Sequence, residues 1–213
     1  MMKKITTLVA ALALTGMASA AQITDVASFG FPLSPGTETV QLDQFDDSLG
    51  TLNWIKIEIT GKVQSNVTVE NDSVLAAPDA ALEITSNFSA AAPSSTNVVV
   101  AMNDSLSASL DPTDGTKGSG SDFHDYGLID IEDTNSSVIV MNFAPFVGTG
   151  EFDVDVIGSA GFVVSGTTDS SLKVSNLNGM GEVKVTYDYV VPEPASMALI
   201  GLGGMLMIGR RKK

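Results

Sequence analysis

The chain of 213 residues carries 25 acidic and 11 basic side chains, which gives a formal net charge of −14 at pH 7. Residues 21–191 hold 24 Asp and Glu against five Lys and no Arg, because the other basic residues lie in the two end segments. Such a surface repels phosphate backbones, so we expect no nucleic-acid partner, and a chain without cysteine forms neither disulfides nor thiolate metal sites.

The N-terminus has the three parts of a signal peptide. Met1 to Lys4 is basic, Ile5 to Met17 is mostly apolar, and small residues at Ala18 and Ala20 precede the expected cleavage before Ala21. We therefore expect an N-terminal signal helix, export of the chain by the Sec machinery, and removal of residues 1–20. A retained membrane anchor is the weaker alternative, because the apolar run is short for a hydrocarbon core of about 30 Å.

Alternating apolar and polar residues predict strands through the rest of the chain up to residue 190. Gly61, between two of them, indicates a tight turn or bulge. We expect residues 21–190 to form one all-β domain, an antiparallel β-sandwich of jelly-roll or Ig-like type. The predicted strands are Thr39 to Phe45, Leu52 to Ile59, Lys62 to Glu70, Ala81 to Phe88, Asn97 to Met102, Ser137 to Phe143, Glu151 to Ile157, Gly161 to Ser165, Ser171 to Val174 and Glu182 to Val190.

Two acidic segments are the candidates for cation binding. The strand Glu151 to Val156 alternates carboxylates with apolar residues, which predicts a solvated face over a core face, with a row of calcium ligands as the alternative. The longest irregular stretch, Ser109 to Tyr126, is rich in Asp and Gly but does not match an EF-hand loop. We therefore expect no resident metal and no cofactor.

The sequence offers no recognisable catalytic constellation. His124 is the single histidine and lies between two Asp on a predicted loop, which is typical of an exposed polar residue rather than a catalytic base. A carboxylate pair for glycoside hydrolysis cannot be selected among 24 candidates by sequence alone. We expect that the protein is not an enzyme.

The stretch Leu42-Asp43-Gln44-Phe45-Asp46-Asp47-Ser48-Leu49-Gly50-Thr51-Leu52, followed by a strand ending at Gly61, resembles the opening of the choice-of-anchor E family. Phe146 to Gly150 and the closing Val183 to Tyr189 resemble its second half. The resemblance implies a β-rich domain joined to an anchoring signal, with no enzymatic activity. From the residues themselves we expect a turn at Asp46 to Gly50, with Phe45, Leu49 and Leu52 plugging the end of the sandwich.

The C-terminus combines three features. The motif Val191-Pro192-Glu193-Pro194 breaks the fold, residues 195–209 form an apolar stretch predicted as a transmembrane helix, and Arg210, Arg211, Lys212 and Lys213 form a cytoplasmic stop by the positive-inside rule. This order resembles the PEP-CTERM sorting signal over residues 191–213. The resemblance implies processing by an exosortase in a Gram-negative, exopolysaccharide-producing bacterium. A plain tail anchor is the alternative, and no Leu-Pro-x-Thr-Gly sortase motif is present.

The sequence as a whole predicts a non-catalytic surface or matrix protein. We expect transient anchoring in the inner membrane with the domain outside, then sorting to the cell surface or to a biofilm matrix in association with extracellular polysaccharide. The alternative is a carbohydrate-binding or calcium-dependent binding module, for which the aromatic candidates are Trp54, Tyr126, Tyr187 and Tyr189. A glycoside hydrolase is a further, weaker alternative.

Overall fold

The computed structural model describes residues 19–192, and its regular structure is almost entirely β. Two short 3₁₀ helices, Asp47–Leu49 and Ala144–Phe146, lie in loops. None of the helices within the described residues is long and apolar enough to cross a membrane. The strands are β1 (Ser19–Pro32), β2 (Gly36–Asp43), β3 (Thr51–Asn71), β4 (Ala77–Ala92), β5 (Thr96–Leu110), β6 (Phe123–Ile139), β7 (Glu151–Ser165) and β8 (Ser170–Val191).

The eight strands form two antiparallel four-stranded sheets, which confirms the predicted all-β sandwich. One sheet has the order β1-β8-β3-β6 and the other has the order β2-β7-β4-β5. The first strand therefore pairs with the eighth, the second with the seventh, the third with the sixth and the fourth with the fifth. This nesting is the strand order of a jelly roll, so the immunoglobulin-like alternative is wrong. The predicted signal helix and transmembrane helix lie outside the described residues.

The sequence patterns predicted more strands than the structure contains. The single strand β3 covers two predicted strands, and the prediction of a turn or bulge at Gly61 is wrong. Gly61 faces the core in unbroken register between Gly181 and Asp133 on the neighbouring strands. A Cβ there would lie 2.6 Å from the ring of Phe88, so the glycine makes room for an aromatic side chain of the opposite sheet.

The predicted ends of other strands also require correction. Strands β7 and β8 each join two predicted strands, and β1 was not predicted at all. The loop predicted from Ser109 to Tyr126 is shorter in the structure and covers residues 111–122, because β5 ends at Leu110 and β6 begins at Phe123. Strand β6 ends at Ile139. Pairing with neighbours on both sides outweighs the turn propensity of Gly, Asn and Ser in the central strands β7 and β8.

The core lies between the sheets and is built from the inward residues of each strand. Alternation is strict in the first part of β7, where Phe152, Val154 and Val156 are buried and the acidic residues beside them are exposed. The prediction of a solvated acidic face over an apolar face is therefore confirmed. At about 25 cal/mol per Å² of buried apolar surface, this core is the main stabilising term in a chain without disulfides.

Candidate functional site

The sorting motif begins where β8 ends. Val190 is paired with Ala20 on β1 and with Thr51 on β3, and Val191 is paired with Ser19. Pro192 follows directly and is exposed. Proline cannot donate to a sheet ladder, which explains why the strand stops here. The motif therefore joins the folded sheet without a linker, on a strand that is hydrogen-bonded on both sides.

The residues around the predicted signal cleavage site lie beside the motif. Ala20 and Ala21 belong to β1, opposite Val190 and Tyr189 on β8. The two predicted processing sites thus meet at one end of the same sheet. The remaining predicted site residues, Ala18, Glu193, Pro194, Arg210, Arg211, Lys212 and Lys213, lie outside the described residues.

The segment between β2 and β3 closes this end of the sandwich. Phe45 is 2% exposed and its ring centroid lies 5.0 Å from that of Tyr189 and 5.6 Å from that of Tyr187. The predicted plug is confirmed for Phe45 and in part for the half-buried Leu52, but it is wrong for Leu49, which is 39% exposed.

A hydrogen-bonded turn follows this plug, as predicted. The carboxylate of Asp46 accepts a hydrogen bond from the backbone N–H of Ser48 at 2.9 Å and caps the 3₁₀ helix Asp47–Leu49. Hydrogen bonding from Ser48, through its side chain and then its backbone, lowers the pKa of Asp46. Gly50 packs so closely against the carbonyl of Val190 that a Cβ has no room there. The turn therefore contacts the last residues of β8.

A cavity of about 340 Å³ opens beside Phe45 at the same end of the domain. Its lining combines apolar side chains with the carboxylates of Asp25, Asp43 and Asp46. One oxygen of Asp25 accepts a hydrogen bond from the backbone N–H of Asp43 at 2.8 Å. The cavity can hold a small polar ligand with an apolar face, such as one sugar ring.

Tyr187 forms one wall of this cavity. Its hydroxyl donates a 2.6 Å hydrogen bond to the backbone carbonyl of Asp43, and the residue is 2% exposed. Burial raises the pKa of Tyr187 strongly, and the negative charges of Asp25 and Asp43 add to the effect. The phenol therefore stays neutral and structural at physiological pH. Sequence reasoning missed Asp25 because the whole of β1 was missed.

The aromatic residues considered for carbohydrate stacking are not exposed. Trp54, Tyr126 and Tyr189 are half-buried and Tyr187 is buried. His124, which was predicted on a loop, lies in β6 opposite Val69 of β3, and its ring packs edge-on against that of Tyr126, with 4.5 Å between the ring centroids. These four aromatic residues therefore form no exposed stacking row.

Lysines pair with carboxylates on the outer face of the β1-β8-β3-β6 sheet. Glu58 contacts Lys184 on the neighbouring strand and accepts a 2.7 Å bond from Lys56. Lys184 first, and Lys56 next, lower the pKa of Glu58. Lys62 lies 2.9 Å from Asp130, and hydrogen bonding between them lowers the pKa of Asp130. Between residues 19 and 192, no group of three or more His, Asp or Glu side chains is arranged to hold a metal ion.

Comparison with known proteins identifies the C-terminal segment. The PEP-CTERM protein-sorting motif matches residues 190–213. No curated protein matches the sequence of this chain. The motif implies exosortase-dependent sorting to the cell surface.

Solved structures offer only distant similarity. The chain is similar to the structure of infectious bursal disease virus Gx strain, with 11% identity, 86% of this chain and 43% of that chain covered, and a TM-score of 0.19. It is also similar to the crystal structure of infectious bursal disease virus VP2 subviral particle, with 11% identity, 86% and 48% coverage, and a TM-score of 0.21. The chain spans less than half the length of these two proteins, and TM-scores at this level carry no argument about function.

Proposed function

We propose that this chain is a non-catalytic exported protein that an exosortase sorts to the cell surface or the extracellular matrix of a Gram-negative bacterium, where it associates with extracellular polysaccharide. The observation that carries the proposal is the PEP-CTERM motif at residues 190–213, which begins on the last two residues of β8 and continues beyond the folded domain. Sec-dependent export through the signal peptide of residues 1–20 and transient anchoring in the inner membrane are parts of the same proposal.

The geometry at the end of β8 supports processing by an exosortase after export. Because β8 remains paired on both sides up to Tyr189 after cleavage before Ala21, the domain holds the sorting motif at the edge of the folded sheet. An exosortase then meets the motif within a few residues of the domain, and the apolar stretch 195–209 keeps the motif close to the membrane during processing. The domain itself stays intact after the cut, because the predicted cut lies beyond its last paired residue.

The composition of the described surface supports a matrix role. Its carboxylates greatly outnumber its lysines, and the ion pairs described above occupy three of those lysines: Lys56, Lys62 and Lys184. A highly negative surface stays soluble and resists self-association, which suits an exported domain at high local density. Neutral polysaccharide, or anionic polysaccharide bridged by cations, is the compatible partner.

The non-catalytic part of the proposal rests on how the titratable groups are used. His124 packs against Tyr126 within a strand, and Tyr187 holds the backbone of Asp43. Two of the three carboxylates that line the cavity beside Phe45, those of Asp25 and Asp46, accept hydrogen bonds from the backbone N–H groups of Asp43 and Ser48. These groups perform structural tasks.

A binding module is the second candidate, and the cavity beside Phe45 favours it. Its volume of about 340 Å³ and its mixed apolar and carboxylate lining suit one sugar unit. The choice-of-anchor E resemblance remains part of the proposal as well, since the Phe45 plug and the Asp46 turn account for its first motif in structural terms.

The test compares a producing strain with the same strain lacking its exosortase. The proposal expects the protein in the surface or matrix fraction of the parent and in the membrane fraction of the mutant. Enzymatic removal of extracellular polysaccharide from the parent should release the protein into the medium. Surface display that does not change in the mutant contradicts the proposed sorting, and retention after polysaccharide removal contradicts the proposed partner.

A further inference from the structure

The loop between β5 and β6, residues 111–122, lies at the end of the sandwich opposite the sorting motif. The loop closes beside Asn71, where β3 ends, and the 21 residues of β3 separate this end from Thr51 and Val190 by roughly 65 Å. The backbone N–H of Asn71 donates to the carbonyl of Asp122 at 2.8 Å, and that of Asp111 donates to the carbonyl of Ser121 at 3.1 Å. The two ends of the loop are therefore joined to each other, and Asp122 is joined to the end of β3.

One carboxylate oxygen inside this loop is buried and unpaired. Asp122 is 0% exposed, and its Oδ2 accepts a hydrogen bond from the backbone N–H of Asp114 at 2.8 Å. Its Oδ1 is shielded from solvent and has no hydrogen-bond partner among the described residues. Leaving a buried carboxylate oxygen without a partner is costly, and none of the described protein groups supplies one.

A second carboxylate oxygen lies next to it. A Cβ placed on Gly120 would lie 2.7 Å from Asp122 Oδ1 and 2.6 Å from Asp114 Oδ2. Both oxygens therefore border one small space, which exists because position 120 has no side chain and takes a φ of +108°. Two calcium–oxygen bonds together span about 5 Å, so a single ion can contact both oxygens.

No lysine forms an ion pair with Asp114 or Asp122 within residues 19–192. The loop contains one lysine, Lys117, which is exposed, and none of the ion pairs of residues 19–192 includes it. A third carboxylate, Glu70, is 8% exposed and accepts a hydrogen bond from the backbone N–H of Gly118 at 3.1 Å. The carboxylates of Glu70, Asp114 and Asp122 thus lie in or beside this loop, and none of them takes part in an ion pair within residues 19–192.

We propose that Asp114 and Asp122 are the carboxylate ligands of a calcium ion that fixes the β5–β6 loop. Backbone carbonyl groups and water complete the coordination, since two side-chain ligands are few for calcium. Such a site has the weak affinity of extracellular calcium modules, with a Kd of about 0.1–1 mM. The site lies far from the sorting motif, so it works whether or not an exosortase processes the chain.

The test uses the full exported protein after calcium is removed with EDTA. Calcium chloride is then added at constant ionic strength, with magnesium chloride as the comparison. We expect 5 mM calcium to slow tryptic cleavage after Lys117 by about tenfold and to raise the Tm by about 5 °C, because the ion binds only the folded loop. The same concentration of magnesium has a smaller effect. The absence of any calcium effect overturns the proposal.

Two variants and a matched control assign the effect to this loop. Asp114→Asn and Asp122→Asn should each abolish both calcium responses. Asp122→Asn should fold as well as the calcium-free protein, since the new side-chain amide can donate a hydrogen bond to the Oδ2 of Asp114. Glu83→Gln removes one exposed negative charge from the outer face of β4 and should keep both responses. A calcium response that survives in both loop variants shows nonspecific binding to the acidic surface and overturns the proposal.

Discussion

Ala20 on β1 lies opposite Val190 on β8, so the predicted signal cleavage site and the sorting motif are neighbours at one end of one sheet. Both chain ends therefore leave the domain on the same side. In the proposed membrane-anchored state, this end of the sandwich would face the membrane, and the opposite end, with the β5–β6 loop, would face away from it.

Cleavage of the leader is predicted between Ala20 and Ala21. Ala20→Arg should block it, because signal peptidase requires a small residue before the cut, and the exposed position on β1 tolerates the change. Thr24→Arg is the matched control, since Thr24 is exposed on the same strand beyond the cleavage site. N-terminal sequencing of the exported protein checks this. A mature N-terminus other than Ala21, or normal processing of Ala20→Arg, contradicts the prediction.

Gly61→Ala should destabilise the domain by about 1–3 kcal/mol, because the new Cβ overlaps the ring of Phe88 in a packed core. Gly30→Ala is the control, since a Cβ at Gly30 meets nothing within 4 Å. Urea unfolding of the two purified variants measures the difference. Equal midpoints for Gly61→Ala and Gly30→Ala would show that the two sheets do not interlock at this point.

Glu58 should make stability depend on pH in the acidic range. Lys184 and Lys56 lower its pKa in the folded state, so its contribution is present above the unfolded value of about 4.3 and is lost as the pH falls through the folded pKa. We expect Glu58→Gln to cost about 0.5–1 kcal/mol at pH 7 and progressively less as the pH falls below the unfolded value. Urea unfolding from pH 3 to 7 measures this gap, with the more exposed Glu132→Gln as the control. A gap that is constant with pH argues against the ion pair.

Tyr187 should make stability depend on pH in the alkaline range. Tyr187→Phe removes the hydrogen bond to Asp43 and should cost about 1 kcal/mol at pH 7. Because its pKa is raised in the folded state, the wild-type protein loses stability above the unfolded value of about 10, and the variant lacks this loss. The difference in the free energy of unfolding between the wild type and Tyr187→Phe should therefore narrow between pH 9 and pH 11. Tyr189→Phe serves as the control. A gap that widens over this range contradicts the burial of the phenol.

Sequence patterns predicted the sheet faces well but the strand ends poorly. The alternation from Glu151 to Val156 assigned each side chain to its correct face, because period-two burial depends only on local geometry. The same reasoning divided β3 at Gly61, where a glycine makes room for Phe88 across the core. That contact joins residues distant in sequence, so no local pattern shows it. β1 was missed because its alternation is weak.

The candidate sites also differ in how well the sequence predicted them. The sorting segment was predicted because its three parts are contiguous and ordered along the chain. The cavity beside Phe45 was not, because Asp25, Gly148 and Tyr187 come from separate segments that only the jelly roll brings together. In the β5–β6 loop the sequence showed the acidic residues, but only the structure shows that one oxygen of Asp122 is buried without a partner.

The central claim is that an exosortase processes the chain at the motif that follows β8. Mass-spectrometric mapping of the C-terminal peptide in the surface and membrane fractions tests it most directly, with a Pro192→Ala and Pro194→Ala double variant as the comparison. The account predicts a C-terminus close to residues 192–194 in the surface fraction, and a membrane-bound chain that still ends at Lys213 in the variant. An intact Lys213 on the wild-type protein, found only in membranes, would contradict the account and reduce the segment to a plain anchor.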